Sequence, residues 1–310
     1  MNALYSKSML DSIYDTNEVH HNVEKILPYL LNTKSLENFR NNELSYFTGA
    51  LIYPDKNYGV WFNRGIFKHY IGILKDLYIY KKRCIKFLKK NNLKYFDFKE
   101  DKIGNPIIYQ FYGFKETGTN IYNNFLFSLI NKHLRSSTSI LEIGGGFGKL
   151  ASIINNFGSF NYNLIEYPGT SIICEYYLKN KFKGSNKNIL FLNDNIESIY
   201  KDINSINVIP LSTLKKNLKI KSFSEVDTVL NTQSFQHMNE NDIKFYAELF
   251  RANNIQRIIS INRHETFLKG EVRFMNILEE YGYKNQIDKQ IKITFDFFGL
   301  QDHFLSIIEG

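Results

Sequence analysis

Glu142, Gly144, Gly146 and Gly148 are spaced E-x-G-x-G-x-G inside the run SILEIGGGFGKL (139–150), with Gly145 filling one open position and a second acid, Glu166, ending the later run NYNLIE. Glycines so placed allow positive φ and let a ligand lie against bare backbone, where a Cβ would otherwise intrude. A helix that starts just beyond them presents free N–H groups and the positive end of its dipole. Such a set can hold a small molecule between backbone donors on one side and carboxylates on the other.

The spacing narrows the ligand. A dinucleotide turn wants G-x-G-x-x-G, and here Lys149 stands where that pattern keeps its last glycine. Glu142 would repel a pyrophosphate, whereas it suits a ligand with a cationic amino group and a sulfonium, which is S-adenosylmethionine. Glu166, with Tyr167 beside it, falls about where a ribose-binding acid belongs. A turn needed only for packing has no use for two carboxylates at strand ends.

These residues require alternating strands and helices to position them. The apolar runs predict strands at 139–143 and 161–166, with helices at 149–157 and from Pro168 to about Phe182, proline being favoured at a helix start. Two runs qualify as the third strand, 189–193 and 207–211. The second is preferred, which makes Leu211 and Ser212 the adenine-side residues, with Asp194 as the alternative. Strands at 226–231 and 256–262 flank a helix from about Asp242, another helix runs near 272–281, and 291–298 with 303–308 form a terminal antiparallel hairpin through Gly299. The expectation is an α/β fold: a Rossmann-like, mostly parallel sheet closed by an antiparallel hairpin, as in class I methyltransferases.

Upstream, residues 1–136 show no strand and helix alternation and are expected to form a mainly helical cap or substrate region, ahead of a ligand-binding domain at 137–310. Helical patterns occupy 23–31, interrupted by Pro28, and 35–47, and turn signals cluster at 49–59. The longest helix candidate is 66–90. Phe67, Ile71, Leu74, Tyr78, Ile85 and Leu88 are read as its core-packing face, with Lys68, Lys75, Lys82, Lys86 and Lys89 mostly behind; the alternative is a basic helix lying on a membrane surface. Gly104-Asn105-Pro106 breaks the chain, 107–112 reads as a short strand, and a helix begins near Asn120. In many methyltransferases the segment just ahead of the first strand lies over the ligand, and that likeness makes Tyr112, Thr117 and Asn120 further candidates for ligand contacts.

The 310 residues are 43% hydrophobic and 23% charged, which is ordinary for a globular chain, and the net charge is +8 with a pI near 9.1. The lysines read as scattered among asparagine and aromatic residues, so a nucleic-acid partner is not favoured. Cys84 and Cys174 have no metal-ligand or disulfide spacing. Without a signal-like apolar stretch or a run long enough to span a bilayer, the chain is expected to be cytoplasmic, with no membrane partner.

The runs ILEIGGGFGKLA, YNLIEYPGTSIICEYYL and VDTVLNTQSFQHM, with the upstream GNP, resemble the sugar O-methyltransferases of bacterial surface-polysaccharide and secondary-metabolite clusters over roughly residues 104–265. The glycine motif belongs to all class I methyltransferases; NTQSFQHM is more particular to this family. The resemblance implies methyl transfer from S-adenosylmethionine to a sugar hydroxyl. One departure is His237, where an acid before the methionine is expected.

A sugar hydroxyl needs a base or a metal to take up its proton. His237 has the chemistry and lies just past the fourth strand, with His264 and Glu265 as rivals past the fifth. Asn231, Thr232 and Gln233 are read as hydrogen-bonding positions on the cofactor side. A divalent metal held by Glu265 lacks a firm ligand set. The partners expected are a small sugar or sugar-nucleotide acceptor and a homo-oligomeric copy.

Overall fold

The computed structural model of the chain describes residues 32–41, 66–134, 136–192, 204–216, 223–263, 274–294 and 303–310. The patterns at 23–31 and 49–59, most of 35–47, and Asp194, His264, Glu265 and Gly299 lie outside them.

The alternating half of the chain begins with β3 (Ser139–Ile143), followed by α4 (Lys149–Phe157), β4 (Asn161–Glu166) and α5 (Pro168–Lys181). These four bounds agree with the sequence reading, because each element has one unbroken apolar pattern and a firm stop. Both third-strand candidates are strands, β5 (Asn188–Phe191) and β6 (Ser205–Pro210), and it is β6 that pairs with β4, leaving β5 at the sheet edge. Next come α6 (Leu211–Lys216), β7 (Thr228–Thr232), a 3-10 turn (Phe235–His237), α7 (Glu240–Ala252), β8 (Arg257–Asn262) and α8 (Phe274–Glu280). Short β9 (Lys284–Asn285) and β10 (Ile291–Lys292) both pair with β11 (Phe304–Glu309).

The strand order β10-β11-β8-β7-β3-β4-β6-β5 places the reversed strand β11 between β8 and β10, while β8, β7, β3, β4, β6 and β5 run parallel. This is the mostly parallel sheet with a C-terminal antiparallel hairpin that the motifs implied. Two-residue alternation along the strands sorts the core: Ile140, Tyr162, Leu164, Ile206, Val208, Ile259 and Ile261 face one layer, and Leu141, Ile165, Ile209, Val229 and Ile258 the other. β3 is flanked by β4 on one side and β7 on the other, so the connections diverge there. The crevice outside the carboxyl end of β3 is where open α/β sheets bind ligands.

The first core layer extends without a break into the N-terminal region, taking in Leu36 and Phe39 beside the short α1 (Thr33–Glu37), and Ile73, Leu77, Cys84 and Leu88 of α2 (Ile66–Lys90). The face chosen from periodicity needs correction. Leu88 is buried and Leu74 packs against the core as expected, but Ile71, Tyr78 and Ile85 are exposed, and the buried stripe runs instead through Ile73, Leu77, Cys84 and Phe87. α2 is apolar on two faces, and periodicity alone does not say which of them meets the core. A hairpin replaces the single strand expected at 107–112: β1 (Tyr109–Phe111) and β2 (Phe114–Glu116) join through Tyr112 and Gly113, at φ of 41° and 80°. Two positive-φ residues make the tight turn whose twist matches its strands. α3 (Gly118–Leu134) then leads into β3, nearly all of it buried.

Candidate active site

The glycine turn is built by the chain against itself. Gly144 has φ of 73°, and a Cβ there would sit 2.3 Å from Ser234 Oγ in the loop after β7. Gly145 covers Glu142, where a Cβ would lie only 2.6 Å from Oε2, and Gly148, at φ of 87°, packs 2.9 Å from Cys174 Sγ of α5 on the same measure. Sequence reasoning assigns these glycines to ligand approach; at three of them contacts inside the protein already forbid a side chain. Gly146, at φ of 59°, donates its N–H to Glu166 Oε1 at 2.7 Å.

The two strand-end acids differ in their surroundings. Glu166 takes the Gly146 N–H on one oxygen and the Tyr167 N–H on the other, at 2.8 Å, so its carboxyl is fixed at the mouth of the turn. Burial outweighs both bonds and raises its pKa to about 7. Glu142 lies beneath the turn, fully buried, with Tyr162 Oη donating to Oε2 at 2.9 Å and Oε1 left without a partner. Burial raises it to about 8, with the neighbouring Glu166 adding to the effect. No cation neutralises either acid among the described residues.

Beside this pair stands a second pair of acids that the sequence reading missed. Glu100 and Asp101 meet Lys149, the first residue of α4, at 2.7 and 3.0 Å, while Arg40 forks onto Glu100 at 2.8 and 3.2 Å. Lys181 reaches Asp101 at 3.3 Å, Tyr177 donates to the same oxygen at 2.8 Å, and the Thr117 hydroxyl donates to Glu100. Although burial opposes it, Lys149 and Arg40 hold Glu100 far below the usual carboxylate range. The Arg40 guanidinium also lies 5.3 Å from the Phe147 ring centre, and Phe39 packs edge-on against Phe147 and Tyr177. The segment before the sheet thus clamps the far side of the glycine turn. The signal available in the sequence was Lys149 itself, because a cation in a first helical turn opposes the dipole unless it is paired.

The remaining candidates gather at the same sheet edge. Register sets Glu166 opposite Pro210, so Leu211 and Ser212 follow directly beside it; Leu211 packs in the core, and the buried Ser212 Oγ lacks a partner. Asn231 is consumed by the scaffold: its Nδ2 donates to Ile143 O at 3.0 Å, and its Oδ1 accepts from Phe235 N and Asn262 Nδ2. Thr232 ends β7 opposite Ile261. Gln233 follows at φ of 59°, unusual for a residue with a side chain, and links two elements that sequence order keeps apart. Tyr122 of α3 donates to its Oε1 at 2.6 Å, so its Nε2 is left to donate to His303 Nε2 at 3.3 Å at the head of β11. That geometry puts the His303 proton on Nδ1. Neither Tyr122 nor His303 was singled out from sequence; only the reversed course of β11 brings the residue just before it, His303, to this edge.

The His237 backbone closes the 3-10 turn after β7, on the edge that carries the glycine turn. His264 and Glu265 lie outside the described residues. Tyr112 sits exposed at the hairpin tip, while the Thr117 hydroxyl donates to Glu100 and Asn120 Nδ2 donates to Glu116 and the Phe98 carbonyl, leaving the buried Asn120 Oδ1 without a partner. Among the described residues no three acidic, histidine or cysteine side chains gather where they could hold a metal ion.

No family model and no curated protein matches the chain. It overlaps several solved methyltransferases in part. The methyltransferase domain of bacterial CtHen1 is 13% identical with a TM-score of 0.40, covering 61% of this chain and 97% of that one. The mitomycin 7-O-methyltransferase MmcR is 13% identical with a TM-score of 0.37, and the overlap covers 62% of this chain but 57% of MmcR. The magnesium protoporphyrin IX methyltransferase ChlM of Synechocystis PCC 6803, solved with SAM bound, is 11% identical with a TM-score of 0.39, covering 62% and 80%. Overlaps this slight carry no argument about chemistry, which has to come from the chain's own topology and site.

Proposed function

We propose that the chain is an S-adenosylmethionine-dependent O-methyltransferase whose acceptor is a hydroxyl of a sugar or sugar nucleotide. The observation that carries the cofactor is Glu166, a carboxyl locked by two backbone N–H groups at the mouth of the glycine turn, with no cation among the described residues to neutralise it. The partnerless Glu142 Oε1 and Ser212 Oγ nearby are further acceptors for a ligand's donors.

Adenosylmethionine, when bound, supplies an electrophilic methyl group. The chain has three tasks around it. Glu166 accepts hydrogen bonds from a ribose diol, as acids at this strand end do in nucleoside sites, while Tyr167, Leu211 and Ser212 border the adenine. The N–H groups of Gly144, Gly146 and Gly148 are donated within the protein, so the start of α4, with the positive end of its dipole, faces the carboxylate of the amino-acid part. His237, on the acceptor side, takes the hydroxyl proton as oxygen attacks, which needs a group titrating near neutrality; His264 and Glu265 are the rivals for this step. Asn231 ties the loop after β7 to Ile143 and Phe235, and Ser234 of that loop lies against Gly144; Thr232 and Gln233 flank it on the cofactor side.

The sugar acceptor rests on the NTQSFQHM run and its family likeness. The test is to incubate the protein with adenosylmethionine and separate panels of nucleotide sugars, NAD and RNA, following adenosylhomocysteine release and product mass. Turnover on nucleotide sugars alone supports the reading. Turnover on RNA alone rejects the acceptor, and absence of adenosylmethionine binding rejects the cofactor.

A further inference from the structure

α2 carries seven lysines and one arginine against the single acid Asp76, a balance of +7 in a chain whose net charge is +8. Along the sequence the lysines read as scattered, but folding gathers them. Residues 71, 75, 78, 82, 85 and 89 advance by four and three in turn, so Ile71, Lys75, Tyr78, Lys82, Ile85 and Lys89 form one outward stripe of alternating apolar and cationic side chains. Ile71, Tyr78 and Ile85 are 47%, 46% and 41% exposed, which excludes the core-packing role that periodicity gives them. Lys82 lies over the Tyr78 ring at 4.4 Å, and none of Lys75, Lys82, Lys86 and Lys89 has an ion-pair partner among the described residues. The β1–β2 hairpin packs along the same helix, Tyr70 contacting Tyr109 and Tyr78 contacting Phe114, and its tip leaves Phe111 61% and Tyr112 95% exposed.

We propose that the outer face of α2, together with the hairpin tip, docks the protein on an anionic lipid bilayer. The helix lies along the surface and does not span it; among the described residues no helix is long and apolar enough to cross a membrane. Isoleucine, tyrosine and phenylalanine enter the boundary between headgroups and acyl chains, and the lysine tips reach out to lipid phosphates and carboxylates. Other occupants fit this stripe less well. A second copy packing helix to helix would set Lys75, Lys82 and Lys89 against their own counterparts across the seam. A nucleic acid would leave the two isoleucines without partners on its phosphates, and the face offers one arginine where base or phosphate readers favour many. The inference stands independently of the methyl-transfer reading.

The test is co-sedimentation of the full chain with vesicles of phosphatidylcholine alone and of phosphatidylcholine mixed with phosphatidylglycerol. Wild type is expected to pellet with the mixed vesicles only, and to be released by salt. With roughly fivefold in affinity per surface lysine, Lys75→Glu/Lys82→Glu/Lys89→Glu should weaken binding about a hundredfold or more. Ile71→Ser/Ile85→Ser should weaken it about tenfold while leaving the charge intact. All these positions are exposed, and an unchanged circular dichroism spectrum and melting curve confirm folding. Failure of wild type to pellet with mixed vesicles overturns the proposal, as do binding to RNA in their place, a triple variant that binds as tightly as wild type, or an isoleucine pair that does the same.

Discussion

Two pairs of carboxylates flank one glycine turn and have opposite fates. Glu100 and Asp101 are met by Arg40, Lys149 and Lys181, and their charge is balanced inside the protein. Glu142 and Glu166 receive only hydrogen bonds, from Tyr162 and from two backbone N–H groups, and their pKa values rise to about 8 and about 7. The first pair is electrostatically complete and joins the N-terminal region to α4. The second is incomplete within the described residues, and on the proposed reading a ligand with a cation and hydrogen-bond donors completes it. Chemically alike residues around one turn are thus told apart by who neutralises them.

The largest expected effect breaks the completed pair. Lys149→Met leaves two buried carboxylates with less than their full complement of cations, and urea unfolding should show a loss of about 3–5 kcal/mol. Adding Glu100→Gln to that variant should recover part of the loss; a Lys149→Met protein as stable as wild type would mean that the network contributes nothing to the clamp.

Packing under the turn comes next. Gly148→Ala must hold a side chain at φ of 87° and 2.9 Å from Cys174 Sγ, which should cost about 1–3 kcal/mol. If the cost comes from the protein's own contacts, as the geometry requires, the same loss appears with and without cofactor.

The incomplete pair should show itself in the pH dependence of stability. A carboxyl whose folded pKa is raised keeps its proton longer when folded than when unfolded, so its contribution is present at low pH and lost as pH rises through the folded value. For Glu142 and Glu166 that window runs from the ordinary carboxylate range up to about 8. His133, depressed to about 4 by burial and nearby cations, acts with the opposite sign and only below its ordinary value. Between about pH 6.5, where His133 no longer contributes, and about pH 8 the melting temperature of the ligand-free protein should therefore fall, and Glu142→Gln should flatten the fall. A slope unchanged in that variant would show that Glu142 does not titrate there.

The smallest effect concerns Gln233. Gln233→Ala removes the bridge between Tyr122 and His303, and should lower stability by about 1 kcal/mol while weakening turnover more than cofactor affinity. Equal losses in both would make the bridge a part of the cofactor side.

The sheet was legible because each of β3, α4, β4 and α5 follows from a local pattern: an apolar run, a glycine stop, a proline start. β6 was found beside β4 for the same reason, and β7 and β8 shifted only at their ends. What failed was relational. The outward face of α2 could not be separated from its inward one, since Ile71 and Ile73 are equally apolar and only the neighbouring helix decides which is covered. The hairpin was hidden because Tyr112 occupies a positive-φ position where glycine or asparagine would have signalled a turn. Around the turn, the positive-φ glycines and the strand-end position of Glu166 were readable from spacing, whereas Arg40, the Glu100 and Asp101 pair, and His303 come from distant stretches that only the tertiary fold assembles.

The most direct measurement is calorimetric titration of adenosylmethionine into wild type, Glu166→Gln and Gly146→Arg across neutral pH. The ionised Glu166 is the better acceptor, so affinity is fully present above its pKa of about 7 and lost as pH falls through it, with protons released on binding. Wild type should bind more tightly at high pH, Glu166→Gln should bind weakly with that dependence gone, and folded Gly146→Arg should not bind. Unchanged affinity in either variant would contradict the assignment of the incomplete acid pair as the cofactor's seat.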